Sequence, residues 1–166
     1  MKTFLFPLIL LFTLNGFSQE LFQYDIDENM SMLVPDDSGE GEMSGQTFIR
    51  GSIGDDTFII SKTSKGLDKL NLDKNPDLTK FYEGVKGGIL KSSRGRVVKD
   101  TMVEIDGHKV LNFVYSMQVE GQPKVVDSYI WVYKKLTYTI QFVSPEVESE
   151  NFKTTRKQIL ESIDLK

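Results

Sequence analysis

A chain of 166 residues, 39% hydrophobic and 27% charged, has the length of one domain and an ordinary globular composition, which argues against a disordered chain or a membrane bundle. Its formal charge of −4 argues against the excess of Lys and Arg that a nucleic-acid binder presents. The absence of cysteine removes thiol catalysis, thiolate metal sites and disulfides.

Residues 1–18 read as a cleavable targeting segment, with Lys2 as the positive end, an apolar run from Phe4 to Leu14, and the small Gly16 and Ser18 preceding a cut before Gln19. The run is far short of the ~20 apolar residues that span a bilayer. The expected location is therefore the periplasm or the cell exterior. Residues 19–166 form a single domain with no internal repeat.

From Leu21 to Pro35, apolar residues at even spacing predict one strand, or a short hairpin pivoting on Asp27, Glu28 and Asn29. Asp36 to Glu42 is acidic and glycine-rich, the composition of a loop. Two strands follow, Gln46 to Ile53 and Thr57 to Thr63, turning on Gly54-Asp55-Asp56; Ser64 to Lys74 is a polar connection. Asn75-Pro76 then suits a helix start, with Asn as cap and Pro in the first turn. Leu78, Phe81, Tyr82, Val85 and Ile89 make one apolar stripe at helical period. Gly87-Gly88 weakens this helix by about 1 kcal/mol per glycine, so that it bends or ends there.

Four strands come next: Val97 to Ile105, Lys109 to Gln118, Lys124 to Tyr133 and Leu136 to Val143, rich in β-branched and aromatic residues. Asp106-Gly107, Gly121 and Lys134-Lys135 are the separators, and they are too short for anything but an antiparallel meander. In the second strand Leu111, Phe113, Tyr115 and Met117 point one way, while Val110 and Val114 point the other. In the third, Tyr129, Trp131 and Tyr133 oppose Val126, Ile130 and Val132. Both sheet faces are thus apolar, and each needs a cover. The fourth strand sets Leu136, Tyr138, Ile140 and Phe142 against Thr137, Thr139 and Gln141, a pattern suited to an edge or a thinly covered position. Ser144-Pro145-Glu146 opens a last helix, with Phe152, Ile159, Leu160 and Ile163 as its apolar stripe and the stem of Arg156 between them. The expected fold is α+β: an α/β/α sandwich on an antiparallel sheet of about six or seven strands, with one helix on each face.

The Val34-Pro35 end of the opening strand, the Asp106-Gly107 turn between strands, and the closing run from Leu136 through Ser144-Pro145 into Ile159-Leu160-Glu161-Ser162-Ile163 together resemble the PsbP-like group, which includes exported bacterial proteins of the DcrB type. The resemblance spans most of residues 19–166. It implies this fold and export, no shared reaction, and no functional residue.

Five groups of residues are candidates for chemistry. His108, the sole histidine, is a possible general base by residue type, but its place beside a hairpin tip favours a solvated turn residue. Asp36, Ser38, Glu40 and Gly41 occupy positions 1, 3, 5 and 6 of a calcium-loop pattern. Thr47 stands where the bidentate Glu belongs, so a plain acidic loop is the better reading. Lys86, Lys91, Arg94, Arg96 and Lys99 form a basic cluster able to meet a phosphate or a membrane headgroup, though a solvated helix end and loop is the better reading. Gly84, Gly87 and Gly88 lack the strand and the Gly-Lys-Ser/Thr sequence of a phosphate loop. Tyr129, Trp131, Tyr133, Tyr115 and Phe113, placed on one face, would line an apolar pocket or be core under a helix. No catalytic, metal or cofactor residue is assigned. The expected function is a non-enzymatic exported accessory or interaction module meeting another envelope protein; the alternative is a carrier of a small apolar ligand under one helix.

Overall fold

The computed structural model describes residues 20–43, 46–68, 70–71 and 75–166. The targeting segment and its cut before Gln19 lie outside these residues, as do the side chains of Asn75 and Pro76, on which the first helix's cap depends. In chain order the elements are β1 (Leu21–Asp27), β2 (Met30–Pro35), β3 (Gly39–Met43), β4 (Gln46–Ile53), β5 (Asp56–Thr63), α1 (Asn75–Ser93), β6 (Arg96–Ile105), β7 (His108–Val119), β8 (Gln122–Tyr133), β9 (Leu136–Ser144), α2 (Glu150–Glu161) and β10 (Asp164–Leu165).

A seven-stranded antiparallel sheet runs β3-β4-β5-β9-β8-β7-β6, and a small sheet β1-β2-β10 packs beside it. The meander from β6 to β9 forms as expected, on turns in which both central residues have positive φ: Asp106 and Gly107, Glu120 and Gly121, Lys134 and Lys135. Such turns match the right-handed twist of the flanking strands.

The two faces are covered by different elements. Tyr82 of α1 packs with Leu111, Phe113, Tyr115, Val126 and Ile130, flanked by Leu78, Phe81, Val85 and Ile89. On the other face Phe152, Ile159 and Ile163 join Met30, Met32 and Val34 over Trp131, Tyr138, Ile140 and Phe142. Ile89 and Ile163 therefore lie on opposite sides of one α/β/α sandwich.

Several expectations need correction. The opening hairpin does form, but β1 and β2 leave the main sheet and pair with β10, because the hairpin's methionines and Val34 are needed as a roof beside α2. The seventh strand is instead β3, within the stretch expected to be an acidic loop; all five of its residues pair with β4. Glycine serves it directly, since a Cβ on Gly41 would meet the Phe48 ring at 2.4 Å. β9 is not an edge strand: it pairs with β5 on one side and β8 on the other. α1 neither ends nor breaks at Gly87-Gly88. α2 starts at Glu150 rather than near Ser144, because Ser149 is the residue whose hydroxyl accepts from the Phe152 N–H, at 3.1 Å.

The five aromatic residues grouped on one face are also split. Phe113 pairs with Ser128 and Tyr115 with Val126. Directly paired residues share a face, so these two look toward α1 with the even-numbered side chains of β8. Tyr129, Trp131 and Tyr133 belong to the opposite core.

Candidate functional site

The sheet face beneath α1 is divided along its width. The half formed by β7 and β8 is apolar, and α1 lies over it. The half formed by β5 and β9 presents Ser61 opposite Thr139 and Thr63 opposite Thr137, with Gln141 one step further along. α1 leaves that half open, and a groove of about 510 Å³ runs between them. Phe81, Val85 and Ile89 form its helical wall; their spacing of four residues makes a single stripe, and with Ser93 the wall extends for roughly 18 Å. Met117 and Tyr115 lie in the floor, between the helix and the hydroxyl-bearing strands.

Two of the groove's polar groups are deep. Tyr115 is buried, and its hydroxyl accepts a hydrogen bond from Gln141 Nε2 at 3.1 Å. Burial pushes this phenol up to about 12, against the opposing effect of the Gln141 bond, so it keeps its proton at neutral pH. Thr137 is only 2% exposed, and its hydroxyl has no hydrogen-bond partner among the described residues. A buried hydroxyl left unpaired costs about 1–3 kcal/mol. Few native positions tolerate that without a reason.

α1 is held over its apolar half by two fixings. The β7–β8 pairing runs to Leu111 and Ile130. At the next position the Tyr82 hydroxyl bridges the strands, donating to Lys109 O at 3.4 Å and accepting from Val132 N at 3.3 Å. Burial raises this phenol above its ordinary value. Further along, Lys86 joins Glu83 at 2.8 Å and also Asp100 of β6. Burial works against the Lys86 charge, but the two carboxylates outweigh it and raise its pKa.

The opposite face carries a cleft of about 550 Å³ between α2 and the β6–β7 hairpin, with Tyr129 and Arg156 among its lining. Its base is a closed network. Asp127 accepts from Asn112 Nδ2 at 2.5 Å and from the Tyr129 hydroxyl at 3.0 Å, and lies 3.4 Å from Arg156. Arg156 grips Glu148 with both terminal nitrogens, at 2.5 and 3.0 Å. Burial raises Asp127, partly offset by Asn112 and Arg156; burial opposes the Arg156 charge, but Glu148 and Asp127 more than restore it. Burial also raises Tyr129, with Asp127 adding to it. Each of these groups answers another, which fastens α2 to the sheet through β8.

The residues singled out in the sequence do not assemble into one site. His108 Nδ1 lies 2.7 Å from Asp106 O, and its ring stands edge-on to Tyr133 at 5.0 Å, beside the end of the chain. Of the calcium-loop pattern, Glu40 and Gly41 are held extended in β3 against β4, while Asp36 and Ser38 lie in the turn before it. Asp37 accepts from Ser52 N at 2.8 Å, a bond that lowers its pKa, and Glu40 accepts from Tyr24. Of the basic cluster, Lys86 is drawn into ion pairs while Lys91, Arg94, Arg96 and Lys99 are exposed. Gly84, Gly87 and Gly88 are exposed on α1, with open space where a Cβ would stand. The groove itself was legible only as the Thr137-Thr139-Gln141 alternation, which the sequence reading assigned to an edge or to thin cover.

No family model and no curated protein matches the chain. Solved structures do. The solution structure of cyanobacterial PsbP from Synechocystis superposes with a TM-score of 0.61 at 13% identity, over 92% of this chain and 95% of that one. The fold is PsbP-like. A Pseudomonas aeruginosa protein of unknown function matches with a TM-score of 0.52 at 14% identity, over 83% of this chain and 92% of its own. A Bacteroides thetaiotaomicron structure matches with a TM-score of 0.50 at 17% identity over 82% of this chain. The match takes in only 45% of that longer protein. Among the described residues no helix is long and apolar enough to cross a membrane.

Proposed function

We propose that this chain is an exported, non-enzymatic accessory module of the cell envelope that acts by binding. The observation that carries this reading is how its buried ionisable groups are used. Asp127, Arg156, Glu148 and Tyr129 neutralise one another beneath α2, and Asp27 takes the Tyr138 hydroxyl at 2.9 Å where the hairpin meets the sheet. Such groups hold layers together, and none of those named sets a nucleophile beside a base among the described residues. The leader-like residues 1–18 and the PsbP-like fold support export and an accessory role. Cell fractionation with mass spectrometry of the amino terminus tests the location: a chain beginning at Gln19 outside the cytoplasm is expected, and cytoplasmic protein retaining Met1 overturns it. In-cell photo-crosslinking from the exposed β6 position Val98 tests the partner: a discrete adduct with an envelope protein is expected, and an uncrosslinked chain overturns the docking role.

A second reading, a carrier of a small ligand, is favoured by the α1 groove. Its volume of about 510 Å³ falls in the range of small-molecule sites, and among its lining residues is Thr137, whose buried hydroxyl has no partner among the described residues.

A further inference from the structure

We infer that the α1 groove binds an uncharged small molecule with one hydrocarbon face and one edge of hydroxyl oxygens, of the saccharide class, rather than an acyl chain. This rests on the carrier reading and names its ligand. The groove's two sides differ in kind: Phe81, Val85 and Ile89 along the helix are hydrocarbon, while Thr139, Thr137 and Gln141 along β9 are neutral hydrogen-bonding groups. A fatty chain would satisfy the first side and strip water from the second without replacing it, an unfavourable exchange for every hydroxyl it covers. A ring whose C–H face rests on Phe81, and whose hydroxyl edge meets the threonines, satisfies both.

The second observation is Thr137. Thr137 lines the groove, and its buried hydroxyl has no partner among the described residues. Tyr115, also among the lining residues, receives the Gln141 amide on its hydroxyl and so keeps its own proton free to donate. Donor and acceptor capacity thus stand side by side in the floor, matching a hydroxyl that both gives and takes a hydrogen bond. An anionic ligand is disfavoured, because Lys65 is the single cationic residue among those lining the groove, and it lies on the β5 side with Thr63.

The test is NMR titration of the full chain as purified, following Thr137, Thr139 and Ile89, with maltose, cellobiose and N,N′-diacetylchitobiose as saccharide probes and oleate as the rival. Saturable shifts of these resonances with at least one disaccharide are expected. Thr137→Val, which keeps the shape and removes the hydroxyl, should weaken that binding about fivefold to tenfold while the fold is retained. Thr139→Val is the second variant, should Thr137→Val disturb the strand, and is expected to weaken binding in the same direction. Oleate shifting the groove while all three disaccharides fail would overturn the ligand class and leave the carrier reading standing. If neither disaccharide nor oleate moves these residues, both fall. Unchanged disaccharide affinity in both valine variants would also overturn the assignment.

Discussion

The two faces of the main sheet are built from the same alternating strands and yet finished differently. On the α2 face the cover is a helix, a hairpin and a terminal strand; Phe152 of the helix and the sheet side chains beneath it, Trp131, Tyr138 and Phe142, are at most 1% exposed. Beneath α1 the cover is one helix, in which Tyr82 is the buried apolar residue, and it shelters only the β7–β8 half. Close-packed aromatic layers hold a fold together; a face left half open beside a polar strip is where a ligand is reached. The α2 side is the foundation, and the α1 side carries the groove for which a ligand is proposed, here called the working surface.

The largest expected effect lies in the foundation. Phe152→Ala removes the ring that packs edge-on against Phe142 at 6.3 Å and lies under Arg156 at 5.5 Å. It should cost about 3–5 kcal/mol in urea unfolding. Val85→Ala, on the groove wall, should cost less than half of that. A reversed order would break the comparison.

Next is the buried charge network. Arg156→Ala leaves Asp127 without its cation and should cost about 2–4 kcal/mol, less than for a fully buried pair because both side chains keep some solvent, 20% and 13%. The pH dependence sharpens this. Because burial raises the Asp127 carboxyl in the folded chain, the folded state binds more protons than the unfolded one between the ordinary aspartate value and the raised value. The contribution of this group to stability therefore declines as pH rises through that window. Asp127→Asn should remove that decline. Urea titrations between pH 4 and pH 7 follow it, and an unchanged slope would contradict the assignment.

On the α1 side the effects are smaller. Tyr82→Phe keeps the packing and deletes the hydroxyl that bridges Lys109 and Val132. A loss of about 1–2 kcal/mol is expected in thermal or urea unfolding, together with faster amide exchange along α1. Gly84→Ala, Gly87→Ala and Gly88→Ala should each raise stability by roughly 0.5–1 kcal/mol, because a methyl meets nothing there and alanine favours the helix. Destabilisation at any of the three would mean that the exposed face of α1 has a packing role the open space does not suggest.

Much of the foundation was legible in the sequence, and little of the working surface. Alternation separates the two rows within each strand, Phe113 and Tyr115 from Val110 in β7, and Trp131 from Ile130 in β8. Which rows meet across the two strands depends on register, and the pairing of Phe113 with Ser128 leaves no trace in either sequence segment. That is why five aromatics were grouped that the fold divides. β3 was hidden because glycine and glutamate are poor strand formers in isolation; the backbone of β4 and the Phe48 ring override that preference. Three alternating glutamates after Pro145 imitate a first helical turn, whereas the cap is set by one serine hydroxyl. The Thr137-Thr139-Gln141 row looks like an edge strand because a central strand with one polar, thinly covered face has the same alternation. Burial on one side and thin cover on the other differ only in three dimensions.

Native-state hydrogen exchange most directly tests the division between foundation and working surface. Amides of α2 around Phe152 and Ile159 should exchange only on global unfolding, while those of α1 around Val85 and Ile89 should exchange through local opening at a distinctly lower free energy. Equal protection of the two helices, or opening of α2 before α1, would contradict it.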